Sequence, residues 1–122
     1  MNAEQILKKL CSDLRYDLTV MRNTTKIYEI AVRKGYDKKY KPIALVAGSL
    51  YFYCKSSGKP IVMNMILERL PVESEELNSI YNDFKKDTLF WEKVENTLLF
   101  FLGFNINYFI SKKFIFWIKI II

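Results

Sequence analysis

Three observations predict an all-α, single-domain fold. Apolar residues recur at helical spacing in one segment after another. Chain breakers are scarce, with 4 Gly and 3 Pro in 122 residues, so long helices fit better than many short strands. The composition, 51% hydrophobic and 26% charged, suits one packed core and excludes a disordered chain.

The segments follow in order. Ile6, Leu7, Leu10, Cys11 and Leu14 define one apolar face over about Ala3 to Leu14, and "RYD" breaks it. A second helix is predicted from near Thr19 to about Lys34, with Val20, Thr24, Ile27 and Ala31 inward and Tyr28 beside them. Gly35 suits its end. The charged connection "YDKKYK" leads to Pro42, which opens a helix at a position where its missing N–H costs nothing. That third helix, Pro42 to Lys55, is apolar nearly all round, the mark of a central helix in a bundle. Ala44, Ala47, Gly48 and Tyr51 lie on one stripe, so three small residues stack along it and let a neighbour approach closely. "SSGKP" breaks it.

A fourth segment, Ile61 to Leu70, offers Val62, Met65, Ile66 and Leu70, and Pro71 ends it. "VESEELNSIYNDFKKD" is acidic first and basic last, as a helix dipole favours, with Ser74 as the expected cap. A last helix is predicted from about Thr88 to Leu102, with Trp91, Val94, Leu98 and Phe101 on one face and Gly103 as its stop. The expected whole is five or six helices around one central helix.

Chemistry is conspicuous by what is missing from the sequence. No glycine-rich phosphate loop, nucleophile elbow or calcium loop occurs. There is no histidine, which removes imidazole base chemistry and the histidine-based zinc sites. Cys11 and Cys54 lie far apart within apolar runs, read as buried thiols and not as a metal site or a disulfide framework. They suit a reducing, intracellular setting, nuclear or cytoplasmic. The carboxylates of "ESEEL" read as a solvated helix start. The expectation is a binding module with no catalytic residues, metal or cofactor. The net charge of +6 permits nucleic acid as a partner without requiring it. In the C-terminal apolar stretch, Asn105, Asn107, Lys112, Lys113 and Lys119 interrupt any run long enough for a transmembrane span.

Two stretches carry a family resemblance. "PIALVAGSLYFYCKSSGKP" resembles the third helix of a cyclin box, where a helix of small residues ends in lysine and a proline follows; Lys55 and Pro60 fall in register. "VENTLLFFLGFNI" resembles the fifth cyclin helix, in which a glutamate precedes a Leu-Gly-Phe turn by seven residues, as Glu95 precedes Leu102, Gly103 and Phe104. The interval between the two motifs is similar to that of transcription-type cyclins. The resemblance implies a cyclin-like five-helix domain over 1–108, with 109–122 an apolar, basic tail or the remnant of a second box. It also implies a regulatory subunit that binds and activates a cyclin-dependent protein kinase. Lys55 and Glu95 would be the kinase-binding pair, with Phe52 and Leu99 as the apolar contact beside them. The acidic pair that usually follows the lysine is replaced by "KSSGK", and no bracing Arg–Asp pair is identifiable.

The third-helix stretch also resembles the transcription factor IIB repeat, which shares the fold. On that alternative Lys34, Lys55 and Lys59 would face DNA phosphates or polymerase. A third class of function, a membrane-surface protein anchored by its tail, has no use for the Lys55 and Glu95 register.

Overall fold

Five α-helices and one short 3-10 turn make up the described part of the chain, which in this computed structural model is residues 2–58 and 63–87. No strand occurs among the described residues. The predicted helix over 88–102, its Gly103 stop and the 109–122 tail lie outside them.

Local chemistry sets each boundary. Helix α1, Ala3–Asp13, starts with a capping box: Gln5 N–H donates to Asn2 Oδ1 at 2.9 Å, and Asn2 N–H donates to Gln5 Oε1 at 3.1 Å. It closes with the paired hydrogen bonds of a Schellman turn, Tyr16 N–H to the Cys11 carbonyl and Arg15 N–H to the Ser12 carbonyl. Arg15 takes the left-handed backbone, φ 59°, that glycine usually supplies there. Asp17 caps helix α2, Leu18–Arg33, through Val20 N–H at 3.0 Å, and Gly35 in the left-handed region follows its end as predicted. The 3-10 turn Tyr36–Lys38 then leads to helix α3, Pro42–Ser57, with Pro42 in its first turn.

Helix α3 runs past its expected end at Lys55. Ser56 and Ser57 are buried, and the Ser57 hydroxyl is satisfied by the Tyr53 carbonyl one turn back, so the backbone stays helical until Gly58 turns it. Helix α4, Met63–Arg69, buries Ile66, whereas Met65, expected on the apolar face, is 39% exposed. Helix α5, Ser74–Lys86, is capped by Glu73 and not by the predicted Ser74. Glu73 holds the extended backbone, and its N–H faces Glu76 Oε1 at 3.5 Å.

The core is built on α3, as its all-round apolarity requires. Ala44 to Cys54 are all buried. Helix α2 lays Val20, Thr24, Ile27 and Ala31 on it as predicted, joined by Ile30 and by Asn23, whose amide donates to the Tyr53 hydroxyl at 3.2 Å. Helix α1 adds Ile6, Leu7, Leu10 and Cys11, and α5 adds Leu77, Ile80 and Phe84 at helical spacing. Both thiols are buried, and they form no disulfide. Burial first, then the proximity of Cys54 and Asp17, pushes the Cys11 thiol up to about 12, so it stays protonated and inert at neutral pH.

The tightest contact lies where α5 crosses α3. A Cβ placed on Gly48 would stand 2.5 Å from Ile80 Cγ2 and 2.9 Å from Ile80 Cβ. The bare backbone at Gly48 is therefore where Ile80 fits. In an open helix, Gly48→Ala would stabilise by roughly 0.5–1 kcal/mol through propensity alone. Here overpacking wins, and the substitution is expected to destabilise by about 1–3 kcal/mol in urea unfolding. A stabilised Gly48→Ala variant would contradict the close crossing.

Candidate functional site

Two surfaces hold the residues that sequence reasoning selected. The first lies at the C-terminal end of α3. Lys55 is exposed, as a docking lysine needs, and its ammonium sits over two aromatic rings, 4.6 Å from the Tyr81 centroid and 5.2 Å from that of Tyr51. Lys85 approaches the same Tyr81 ring at 5.9 Å. Phe52 departs from expectation. It is 1% exposed and packs edge-on against Phe84 at 5.5 Å, with Tyr81 at 5.9 Å on another side. Its position one turn before Lys55 points it into the α3–α5 seam, so it is a core residue and offers no surface contact. Tyr81, from α5, supplies the apolar surface beside Lys55. Glu95, Leu99 and Lys59 lie outside the described residues.

The second surface is the end of the domain where the α2–α3 connection meets the last turn of α5. Five of the nine residues from 33 to 41 are Lys or Arg. Two carboxylates, Asp83 in the last turn of α5 and Asp87 at its C-cap, hold this connection, and each is gripped in the same way by a lysine and a tyrosine. Asp87 receives Lys34 Nζ at 3.3 Å and the Tyr36 hydroxyl at 2.9 Å. Asp83 receives Lys39 Nζ at 2.8 Å and the Tyr40 hydroxyl at 2.6 Å, and Ser79 Oγ lies 2.7 Å from that hydroxyl. Burial by itself would raise the Asp83 carboxyl, but the hydrogen bonds from Lys39 and Tyr40 and the charges of Lys39 and Lys86 outweigh it, and the group ends below its ordinary value. The Tyr36 and Tyr40 hydroxyls move up, first by burial and then by their bonds to these carboxylates. Asp83 is thus ionised at neutral pH and both phenols are neutral.

Once Lys34 and Lys39 are accounted for, Arg33, Lys38, Lys41 and Lys86 remain. All four are exposed and make no ion pair among the described residues. Asp37 is the one acidic residue of the connection itself. The result is a surplus of positive charge at one end of the domain, on a connection fixed in place from beneath.

The transcription factor IIB alternative had Lys34 facing DNA phosphates or polymerase, and here it pairs with Asp87 at one-fifth exposure. Sequence reasoning read "YDKKYK" only as a charged connection. The signal that could have revealed the arrangement was the pairing of Lys34 with Tyr36 and of Lys39 with Tyr40, answered by Asp83 and Asp87 four residues apart at the end of α5.

Among the described residues no group of three or more His, Cys, Asp or Glu side chains gathers to hold a metal, and no helix is long and apolar enough to cross a membrane.

Comparison with known proteins agrees with the helical architecture. The family model described as the transcription factor TFIIB repeat matches residues 1–87, a span that includes all five described helices. Neither the curated proteins nor the solved structures give a match. The cyclin family itself is not shown; what is shown is the repeat type that shares its fold. Repeats of this type are non-catalytic. The chain belongs to the transcription factor TFIIB repeat family and is a non-catalytic, all-α domain of cyclin-like fold.

Proposed function

We propose that this domain is a transcription module that docks on duplex DNA through its phosphates, using the basic end formed by the α2–α3 connection and the last turn of α5. The observation that carries the reading is the set of four exposed cations, Arg33, Lys38, Lys41 and Lys86, that make no ion pair among the described residues and lie beside two aspartates already engaged. Exposed lysines and arginines on one fixed edge displace counterions from a phosphate backbone, which gives affinity without sequence preference. Family membership supports the same reading, because it favours the transcription factor IIB type of function over kinase activation. Phosphate contacts alone position a protein and do not specify a site, so sequence choice would come from a partner or from other parts of the chain.

The test is the salt dependence of binding to a short duplex. Four phosphate contacts give a slope of log K against log salt near −3.6, at about −0.9 per contact. The triple substitution Arg33→Gln, Lys38→Gln, Lys41→Gln is expected to flatten that slope by roughly 2.7. A triple variant with the wild-type slope would overturn the reading.

A second reading keeps the kinase as partner, and one observation favours it. Lys55 stands exposed near the end of α3 with its ammonium over the rings of Tyr51 and Tyr81, the placement of a docking lysine. In this reading Lys55 and Glu95 contact a cyclin-dependent kinase beside Leu99, and Tyr81 takes the role that Phe52 cannot fill. Lys55→Ala would then weaken kinase binding by about 2 kcal/mol while leaving the DNA slope unchanged, because it removes a charged anchor at a protein interface. Calorimetry with a panel of such kinases that detects no binding to the unsubstituted chain would eliminate this reading.

A further inference from the structure

The two Lys–Tyr–Asp clusters do more than staple a loop. We propose that Asp83 and Asp87 serve as internal substitutes for DNA phosphates, holding Lys39 and Lys34 in the free domain and giving them up when DNA arrives, so that the last turn of α5 sets the affinity of the basic end. The inference rests on the DNA reading above and describes how that same surface is regulated.

Three features of the geometry carry it. The first is a division of labour within each cluster. If Lys39 leaves Asp83, the Tyr40 hydroxyl still donates to that carboxylate at 2.6 Å, and Ser79 still completes the Tyr40 bond. If Lys34 leaves Asp87, the Tyr36 hydroxyl remains at 2.9 Å. The tyrosines keep the connection docked, and the carboxylates stay hydrogen-bonded, whichever way the lysines turn. Tyr36 also packs edge-on against Phe84 at 5.1 Å, which anchors its ring independently of any charge.

The second feature is exposure. The side chain of Lys39 is 60% exposed and that of Asp83 is 26% exposed, so this ion pair is bathed in solvent and its ammonium can swing outward at little cost. Lys34 and Asp87, at 20% and 21%, are better covered, which makes Lys39 the first to exchange. A phosphate oxygen replaces a carboxylate oxygen as a charge-assisted acceptor of the same kind, so the lysine loses no hydrogen bond in moving.

The third feature is location. The exchangeable lysines alternate along the connection with cations that make no ion pair among the described residues, Arg33 before Lys34 and Lys38 before Lys39. A phosphate backbone that engages those cations therefore passes within reach of the paired set. Until then the aspartates neutralise two of the cations, which lowers the domain's attraction for any polyanion.

A double-substitution cycle on Asp83 and Lys39 tests this, read as duplex affinity and salt slope by fluorescence anisotropy on the full chain. Asp83→Asn keeps a hydrogen-bonding side chain and removes the competing charge. It is expected to tighten binding about fivefold at ~0.15 M salt and to steepen the slope by about 0.9, the release of one further counterion. In a Lys39→Gln background the gain should shrink to that of Asp37→Asn, which removes a carboxylate of the same connection that holds no lysine. A gain that persists without Lys39, or an Asp83→Asn variant with wild-type affinity and slope, would overturn the inference while leaving DNA docking intact. Loss of helical circular dichroism in Asp83→Asn would shift the decision to Lys39→Gln alone: a flatter slope supports exchange, and an unchanged slope overturns it. Absent or salt-independent binding by the unsubstituted chain would remove the DNA reading and this inference together.

Discussion

The crossing of α5 over Gly48 fixes the rest of the domain. Only a residue without a side chain lets Ile80 sit where Cβ would be, and the crossing brings α5 down onto the most apolar helix of the chain. Leu77 and Phe84 follow from that seating, one on each side of Ile80 along the buried face of α5. Phe52 and Phe84 then pack edge-on across the seam. An alanine at 48 would gain backbone rigidity and lose this fit, which is why a residue that weakens helices stands in the middle of the central one.

From that seating the charges fall into place. The same rotation of α5 that buries Ile80 and Phe84 turns Asp83 and Asp87 toward the α2–α3 connection, where Tyr36 and Tyr40 meet them. Lys34 and Lys39 add ion pairs at 3.3 and 2.8 Å, but these pairs are partly or largely in water, and such pairs stabilise a fold by ~0–1 kcal/mol each. Their larger effect is on which cations remain to meet a partner. On the opposite side of the seam the same helix presents Tyr81 to Lys55. One helix thus shapes both candidate surfaces, one by carboxylates and one by an aromatic ring.

Much of the fold was legible in the sequence, because helical periodicity and capping are local signals. The apolar faces of the first two helices, the Pro42 start, the Gly35 stop and the central helix with its small stripe all appear as read. The misses have local causes of another kind. Glu73 displaces Ser74 as a cap, and a buried serine pair carries α3 beyond Lys55. The candidate sites were less legible. Whether Phe52 or its neighbour faces outward depends on where α5 lies, which no spacing within α3 reveals. Lys34 looked available until a carboxylate some fifty residues away claimed it. The motif containing Glu95 and Leu99 weighted the reading toward a kinase, whereas the family match covers residues 1–87 and points to the transcription factor repeat.

The claim that the basic end is the DNA-facing surface is open to one direct measurement. Titration of a short duplex into the isotopically labelled chain, followed by amide chemical shifts, locates the contact residue by residue. The account predicts the largest shifts at Arg33, Lys38, Lys41 and Lys86 and at the Lys39 clasp between them, with Tyr51, Lys55 and Tyr81 unmoved. Shifts confined to Lys55, Tyr81 and Lys85, with the α2–α3 connection silent, would contradict it.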